Sequence, residues 1–168
     1  GNSPEPARFL IFEEAGVRVG VTGITEPGMT FVSSPRYTVG DPISHAIEAL
    51  RELAPQADVL VLLVYEARES IEQIISAVPE LDVVIDSRMH REFSPPLLLG
   101  STLLTHAHYQ TQRLGELRLD VDDGEVTLLQ DRKIDLDPEV PDEPKLMEML
   151  HTARTEIDKV QETLFGGP

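Results

Sequence analysis

The chain of 168 residues contains no cysteine and no tryptophan, and its basic residues are scarce. The lack of cysteine excludes disulfides, thiolate metal sites and cysteine nucleophiles. Only 14 lysines and arginines accompany 30 acidic residues, which gives a formal net charge of -16. A surface of this charge repels phosphate backbones and anionic headgroups, so binding to nucleic acid is not expected. No apolar run approaches the roughly 18 residues of a membrane span, so no membrane-spanning segment is expected either.

The composition is that of a globular domain, with 40% hydrophobic and 26% charged residues. Residues 1–7 contain two prolines and no basic or apolar targeting region, which indicates a linker. Two short apolar runs, 8–13 and 17–24, flank Gly16 and predict a hairpin. The stretch 26–40 is rich in Pro, Gly, Ser and Thr and predicts a long loop, with room for a short strand at 30–33.

The middle of the chain alternates between strand and helix patterns. Asp41-Pro42 provides an N-cap and a first-turn proline for an amphipathic helix over 42–53. The run ADVLVLLV at 57–64 predicts a strand that is buried on both faces. A helix at 70–78 and a strand at 81–85 follow. This alternation predicts parallel strand pairing through helical crossovers.

The last part of the chain predicts three strands and then one long helix. The strands are 101–106, 113–121 and 126–134, and the last two are joined by the turn Asp122-Asp123-Gly124. The helix is expected to be capped at Asp142. Its apolar residues repeat over three heptads: Leu146, Leu150, Ala153, Ile157, Val160 and Leu164. A repeat this short is more often docked on its own domain than part of a coiled coil. We therefore divide the chain into a linker (1–7), an α/β half-domain (8–136) and a C-terminal helix (137–168).

Several of these segments occur in the order and spacing of one known family. They are the apolar strand and loop GVRVGVTGITEP (16–27), Asp41-Pro42 opening a helix, ADVLVLLV, LDVVID (81–86) before a histidine-bearing loop, and RLGELRLDVDDG (113–124). This ordered set resembles the second half of the 5'-nucleotidase-type, or calcineurin-like, metallophosphatase domain. The resemblance covers residues 2–136.

The resemblance implies an α/β fold, a layered sandwich of mixed sheets with four layers in the order α/β/β/α. In that family two divalent metals bind at the carboxyl ends of the strands. The first half supplies an Asp-x-His pair, a bridging Asp and an Asn-His motif, for which this sequence has no counterpart. The second half supplies a His after the strand that resembles ADVLVLLV, and a Gly-Gly-His-x-His loop after the next strand.

The two ligand positions of the second half differ in this chain. Val64-Tyr65 stands where the family has Ser-His, and 86–90 (DSRMH) stands where it has Gly-Gly-His-x-His. Tyr65 and Arg88 therefore replace two ligands, and only His90 matches. A phenol is a poor ligand for these metals at neutral pH, and a guanidinium cannot coordinate a metal. Because phosphoester hydrolysis of this type needs both ions, the sequence predicts a degenerate site with no catalytic residue that can be assigned.

Other residues near these positions offer different chemistry. His106 and His108 lie two apart at a strand end and would face the same side, so with His90 they would suit a single divalent metal, Zn or Mn. The alternative is a set of hydrogen-bonded or exposed histidines, and otherwise no cofactor is expected. Arg88 is a candidate for binding an anionic substrate such as a phosphate, or else for an ion pair with one of the many carboxylates. Glu66 is a candidate acid or base, or a residue favoured there by a helix dipole.

These features predict a degenerate or partial metallophosphatase domain that is inactive alone and serves as a fragment or a binding or assembly module. One alternative is a phosphoester hydrolase, of nucleotidase or phosphodiesterase type, that is completed by an upstream metal-binding half. Another is an enzyme of altered chemistry built on the histidine cluster. Half a sandwich would leave one sheet face bare, so we expect a homodimer, an upstream half-domain or coverage by the C-terminal helix. The resemblance implies a periplasmic or secreted location.

Overall fold

The structure, a computed structural model, describes residues 7–26, 40–88, 95–106, 112–122, 124–137 and 139–166. By its internal contacts the chain divides into two compact units, Gly1–Asp135 and Leu136–Pro168. The described residues form eight strands and three helices, which are β1 (Leu10–Glu14), β2 (Val17–Thr25), α1 (Pro42–Leu53), β3 (Val59–Tyr65), α2 (Arg68–Ala77), β4 (Val83–Asp86), β5 (Leu97–Leu99), β6 (Thr102–His106), β7 (Arg113–Asp122), β8 (Glu125–Asp135) and α3 (Pro144–Phe165).

The first unit contains a six-stranded mixed sheet in the order β1-β2-β3-β4-β6-β5, and a separate hairpin of β7 and β8. Strands β2, β3, β4 and β6 are parallel, and the two edge strands β1 and β5 pair antiparallel to their neighbours. The mixed sheet, its crossover helices and the long C-terminal helix confirm the predicted α/β class. The hairpin at Gly16, the parallel pairing and the hairpin of β7 and β8 are also confirmed.

Local sequence explains where the first two helices begin and which face they bury. The Asp41 carboxylate accepts a hydrogen bond from the Ser44 backbone N–H at 2.9 Å, and Pro42 occupies the first turn of α1. Helix α2 is followed by Pro79, and its inward residues are Ile71 and Ile74. Both helices pack on one face of the sheet, against a core completed by residues of three strands, which are Leu60, Leu62, Val64, Val84 and Leu104.

The opposite face of the sheet is partly uncovered. In β3, Leu62 is fully buried but Leu63 is 45% exposed, and Tyr65 is also exposed. Leu10 and Phe12 of β1 are exposed on the same face, as the strand registers show. The prediction that 57–64 is buried on both faces is therefore wrong for the end of the strand, because α1 and α2 cover only one side. The exposure agrees with the expected bare face.

Two further predictions need correction. The short edge strand β5 lies between the predicted strands 81–85 and 101–106, where the sequence predicts no strand; its three leucines pair with β6 through a turn at Gly100, which has a φ of 64°. The second correction is the cap of α3, which is Glu143 and not Asp142. The Glu143 carboxylate accepts a hydrogen bond from the Leu146 N–H at 2.7 Å. Pro144 fixes the first helical position, so the residue just before it becomes the cap.

Helix α3 and the residues that lead into it make up the described part of the second unit. None of the helices in the described ranges is long and apolar enough to cross a membrane. The predicted short strand at 30–33 lies outside the described residues.

Candidate functional site

The parallel strands all have their carboxyl ends on the same side of the sheet. This row of strand ends is called the carboxyl edge, as distinct from the edge strands β1 and β5. The register pairs Thr25 with Tyr65, and Asp86 with both Val64 and His106. Tyr65, Asp86 and His106 are thus the last residues of β3, β4 and β6 at the same edge. This is the edge of a parallel sheet where sites in α/β proteins concentrate. The structure therefore places Tyr65, His106 and the start of the loop that carries Arg88 at the same end of the sheet.

Arg88 connects the ends of three neighbouring strands. Its Nη1 donates a hydrogen bond to Glu26 Oε2 at 2.7 Å, just beyond the end of β2. Its Cζ lies 5.9 Å from the centre of the Tyr65 ring at the end of β3. Its backbone N–H donates to Asp86 Oδ1 at 2.8 Å at the end of β4. The guanidinium is therefore held by a carboxylate and an aromatic face, and an anion would compete with Glu26 for its positive charge.

Asp86 is a nearly buried carboxyl at the centre of this edge, with 2% of its surface exposed. Burial raises the pKa of Asp86 above its usual value, because the charged form loses solvation. The Arg88 N–H and then the charges of Arg88 and His106 act in the opposite direction without cancelling the effect of burial on the pKa. Asp86 is thus an acid whose ionisation is disfavoured by its surroundings.

Glu66 follows β3 directly and is 8% exposed. Its Oε2 accepts a weak hydrogen bond from the Ala67 N–H at 3.3 Å, and its buried Oε1 has no hydrogen-bond partner among the described residues. Helix α2 begins at Arg68 with Ala67 as its N-cap, so Glu66 lies just before the helix and not within its first turn. The structure leaves Glu66 Oε1 as a buried acceptor without a hydrogen-bond donor among the described residues.

The predicted histidine cluster is described only in part. His106 is buried at the end of β6, beside Asp86 in the register. His90 and His108 lie outside the described residues, so the three-histidine site stays a prediction. In the described ranges no group of three His, Asp or Glu side chains is placed to hold a metal ion.

Glu26 is the residue of this edge that the sequence analysis did not single out. The available signal was its position: a carboxylate immediately after the apolar run that forms β2. Glu26 is placed at the site by the pairing of β2 with β3. This pairing continues past the strand end, where the Glu26 N–H donates a hydrogen bond to the Tyr65 carbonyl at 2.8 Å. That pairing brings its carboxylate within reach of Arg88.

The comparisons with known proteins point to one class. No family model matches the chain. The chain is 27% identical over 107 residues to the uncharacterized metallophosphoesterase YunD of Bacillus subtilis. The matched region covers 64% of this chain and 23% of that protein. The chain thus spans about a quarter of the length of this curated relative.

Solved structures agree with that class. The sulfate thiohydrolase SoxB of Thermus thermophilus matches 94% of this chain with a TM-score of 0.72 and 17% identity, over 30% of its own length. A 5'-nucleotidase precursor of Thermus thermophilus matches 91% with a TM-score of 0.62 and 19% identity, over 34% of its length. The NAD nucleotidase of Haemophilus influenzae matches 77% with a TM-score of 0.65 and 15% identity, over 30% of its length.

The chain therefore has the fold of part of a 5'-nucleotidase-type metallophosphatase, as its sequence pattern indicated. It spans about a third of the length of each of these structures. Proteins of this class are metal-dependent, but the described residues contain no group of three His, Asp or Glu side chains placed to hold a metal ion. Of the residues at this edge, Arg88 carries no lone pair that could coordinate a metal, and a phenol such as that of Tyr65 is a poor ligand for these metals.

Proposed function

We propose that this chain is the second half of a metallophosphatase-like domain whose two-metal chemistry has been lost, and that it acts as a binding or assembly module. The observation that carries the proposal is the contact between Arg88 and Tyr65, the two residues that the family resemblance aligns with metal ligands. The two residues complement each other, because Arg88 supplies a cation and Tyr65 supplies the aromatic face that contacts it. A divalent ion at this point would meet a fixed positive charge.

The ion pair with Glu26 supports the same proposal. In a two-metal site, carboxylates at a strand edge are neutralised by the bound ions. Here the Arg88 guanidinium neutralises Glu26 at 2.7 Å, and the Arg88 backbone N–H donates to Asp86 Oδ1. Arg88 would thus take over the structural part of the metal's role, joining three strand ends, without the ability to activate a water molecule. An anionic substrate that binds Arg88 would compete with this ion pair.

The alternative is a phosphoester hydrolase of nucleotidase or phosphodiesterase type, completed by an upstream half. It is favoured by the exposed apolar residues on the sheet face opposite the helices, among them Leu10, Phe12 and Leu63. A second sheet packed on this face would cover them. The greater length of the relatives leaves room for such a half. By the same resemblance we propose a periplasmic or secreted location.

The test is hydrolysis by the purified 168-residue chain. A phosphate monoester and a phosphodiester, each carrying nitrophenol, are offered with Mn²⁺, Zn²⁺ or Mg²⁺ in turn. We expect rates equal to those of the metal alone. Hydrolysis whose rate increases with the protein concentration, and which stops on addition of a chelator, would overturn the proposal.

A second measurement separates the alternative. The same assays are run on the product of the complete gene. Chelator-sensitive turnover by the complete product, with an inactive 168-residue chain, would support the completed hydrolase. No turnover by the complete product or by the 168-residue chain would support the module.

A further inference from the structure

Helix α3 carries a narrow apolar seam that no other described residue of its own unit covers. The seam residues are spaced alternately by four and three positions and are Leu146, Leu150, Ala153, Ile157, Val160 and Leu164. The five larger ones are between 51% and 68% exposed. An apolar stripe of this regularity on a helix of 22 residues requires a partner surface.

The width of the seam indicates which kind of surface fits it. A helix that packs on a globular core usually presents a stripe of about 100° or more, whereas a stripe confined to heptad positions a and d is the seam of a coiled coil. Over the last two heptads the flanking e and g positions are polar, namely Arg154, Glu156, Gln161 and Thr163. The matching partner is therefore another helix with the same narrow seam, and a second copy of this chain supplies one.

We propose that α3 pairs with α3 of a second copy in a parallel, two-stranded coiled coil, which makes the protein a homodimer. In this arrangement each seam residue packs against its own counterpart. The Ala153 layer is thin, which suits two closely spaced helices; the wider interior of three or four strands would leave a void there.

The charges that flank the seam set the direction of the pair. In an antiparallel pair with Leu146 opposite Leu164, position e faces e and position g faces g, so Arg154 would face Arg154 and Glu156 would face Glu156. In a parallel pair, g faces the following e. Met149 then lies beside Arg154, and Glu156 lies beside Gln161. The parallel pair avoids both like-charge contacts.

The first heptad adds two flexible apolar side chains beside the seam. Met147 and Met149 occupy e and g next to Leu146 and Leu150, and both are exposed. Methionine adapts its shape to irregular surfaces, so these residues would widen the contact at the start of the helix. The dimer does not depend on the site at Arg88, so either proposal can fail without the other.

The first test is the mass of the full chain by sedimentation equilibrium over a range of concentrations. We expect a concentration-dependent species with twice the 18.6 kDa of one chain. Ile157→Lys should raise the dissociation constant at least about a hundredfold, because an apolar layer is lost from both helices. Thr155→Lys adds the same charge on the outer face of the helix and should change it little. A monomeric parent at every concentration would overturn the proposal, as would a dimer that survives Ile157→Lys.

A third variant separates the helix from the bare sheet face. Leu63→Lys places a charge on the exposed side of β3, far along the chain from α3. We expect the dimer to persist in this variant. Dissociation by Leu63→Lys but not by Ile157→Lys would assign the interface to the sheet and end the proposal.

The direction of the pair is tested by a single introduced thiol, since the chain has no cysteine of its own. In a parallel dimer, Leu146→Cys brings two Cα atoms to about 4–7 Å, the range of a disulfide. In the antiparallel register the same atoms would lie roughly 27 Å apart along the helix axis. We expect a disulfide-linked dimer under mild oxidation, with much less from the outer-face variant Glu148→Cys. Equal cross-linking of both variants, or none with Leu146→Cys, would contradict the parallel pair.

Discussion

The guanidinium carbon of Arg88 lies 5.9 Å from the centre of the Tyr65 ring. Tyr65 is the last residue of β3 and Arg88 follows β4, and they meet because β3 and β4 are parallel neighbours that end at the same edge. By the family resemblance both stand at positions of metal ligands. At these positions Arg88 makes a cation–π contact with Tyr65 and an ion pair with Glu26.

Restoring the two ligands should create metal affinity. We expect the double variant Tyr65→His with Arg88→His to bind Zn²⁺ at least about tenfold more tightly than the parent, because two imidazoles replace a phenol and a cation. Arg88→Gln removes the cation without adding a ligand and is the control. Calorimetric titration after treatment with a chelator measures the affinity. Two equivalents of tightly bound metal in the unaltered chain would contradict the expected loss of the site.

The uncovered sheet face predicts unequal losses of stability when two adjacent leucines are truncated. Leu62 is fully buried under the helices, so Leu62→Ala should lower the free energy of unfolding by about 2–5 kcal/mol. Leu63 is 45% exposed on the other face, and Leu63→Ala should cost less than about 1.5 kcal/mol. Urea unfolding of the two variants of the 168-residue chain measures both. Equal losses would mean that this face is covered in solution.

Asp86 should make the chain less stable as pH rises. Since burial raises the pKa of Asp86 in the folded state, its protonated form is favoured there. The stability that this preference contributes is complete below the ordinary carboxyl pKa of 3.8, and it is lost as pH rises through the higher folded pKa.

Asp86→Asn removes this titration and keeps an oxygen that can accept from the Arg88 N–H. We therefore expect the variant to gain stability over the parent as pH rises from 3.8 toward neutrality, measured by urea unfolding at a series of pH values. A variant that is less stable than the parent at neutral pH would mean that attraction between ionised Asp86 and Arg88 outweighs the cost of burial.

The opposite pH dependence of stability is expected from Asp58, at the amino ends of the strands. Arg18 donates to Asp58 from its backbone N–H at 2.9 Å and from its guanidinium at 3.1 and 2.6 Å. These bonds lower the pKa of Asp58 to about 2. The resulting stabilisation is present above 3.8 and is lost as pH falls through about 2.

Asp58→Asn should therefore lose less stability than the parent as pH falls into the acidic range. Asp120→Asn, at an exposed position of β7, should lose as much as the parent. Thermal unfolding followed between neutral and strongly acidic pH provides the comparison. An unchanged acid profile in Asp58→Asn would show that the pair with Arg18 does not form in solution.

The order of elements was readable from the sequence because each depends on local rules. Asp41-Pro42 specifies the start of α1, and the apolar run that forms β3 specifies a strand wherever it is placed. The edge strand β5 was not readable, since three leucines carry no periodicity and their pairing depends on the positive φ of Gly100. At the site, Tyr65 and Arg88 were found through the resemblance, whereas Glu26 emerged only when β2 paired with β3.

The amino-acid sequence by itself determined the α/β class, the parallel pairing and the chemical identity of the residues at the strand ends, because periodicity, caps and turns act over a few neighbouring residues. Only the tertiary structure decided that Arg88 is neutralised by Glu26, that Asp86 is buried and that one face of β3 is exposed. These properties depend on which distant segments are packed together, and local sequence does not encode the distances between them.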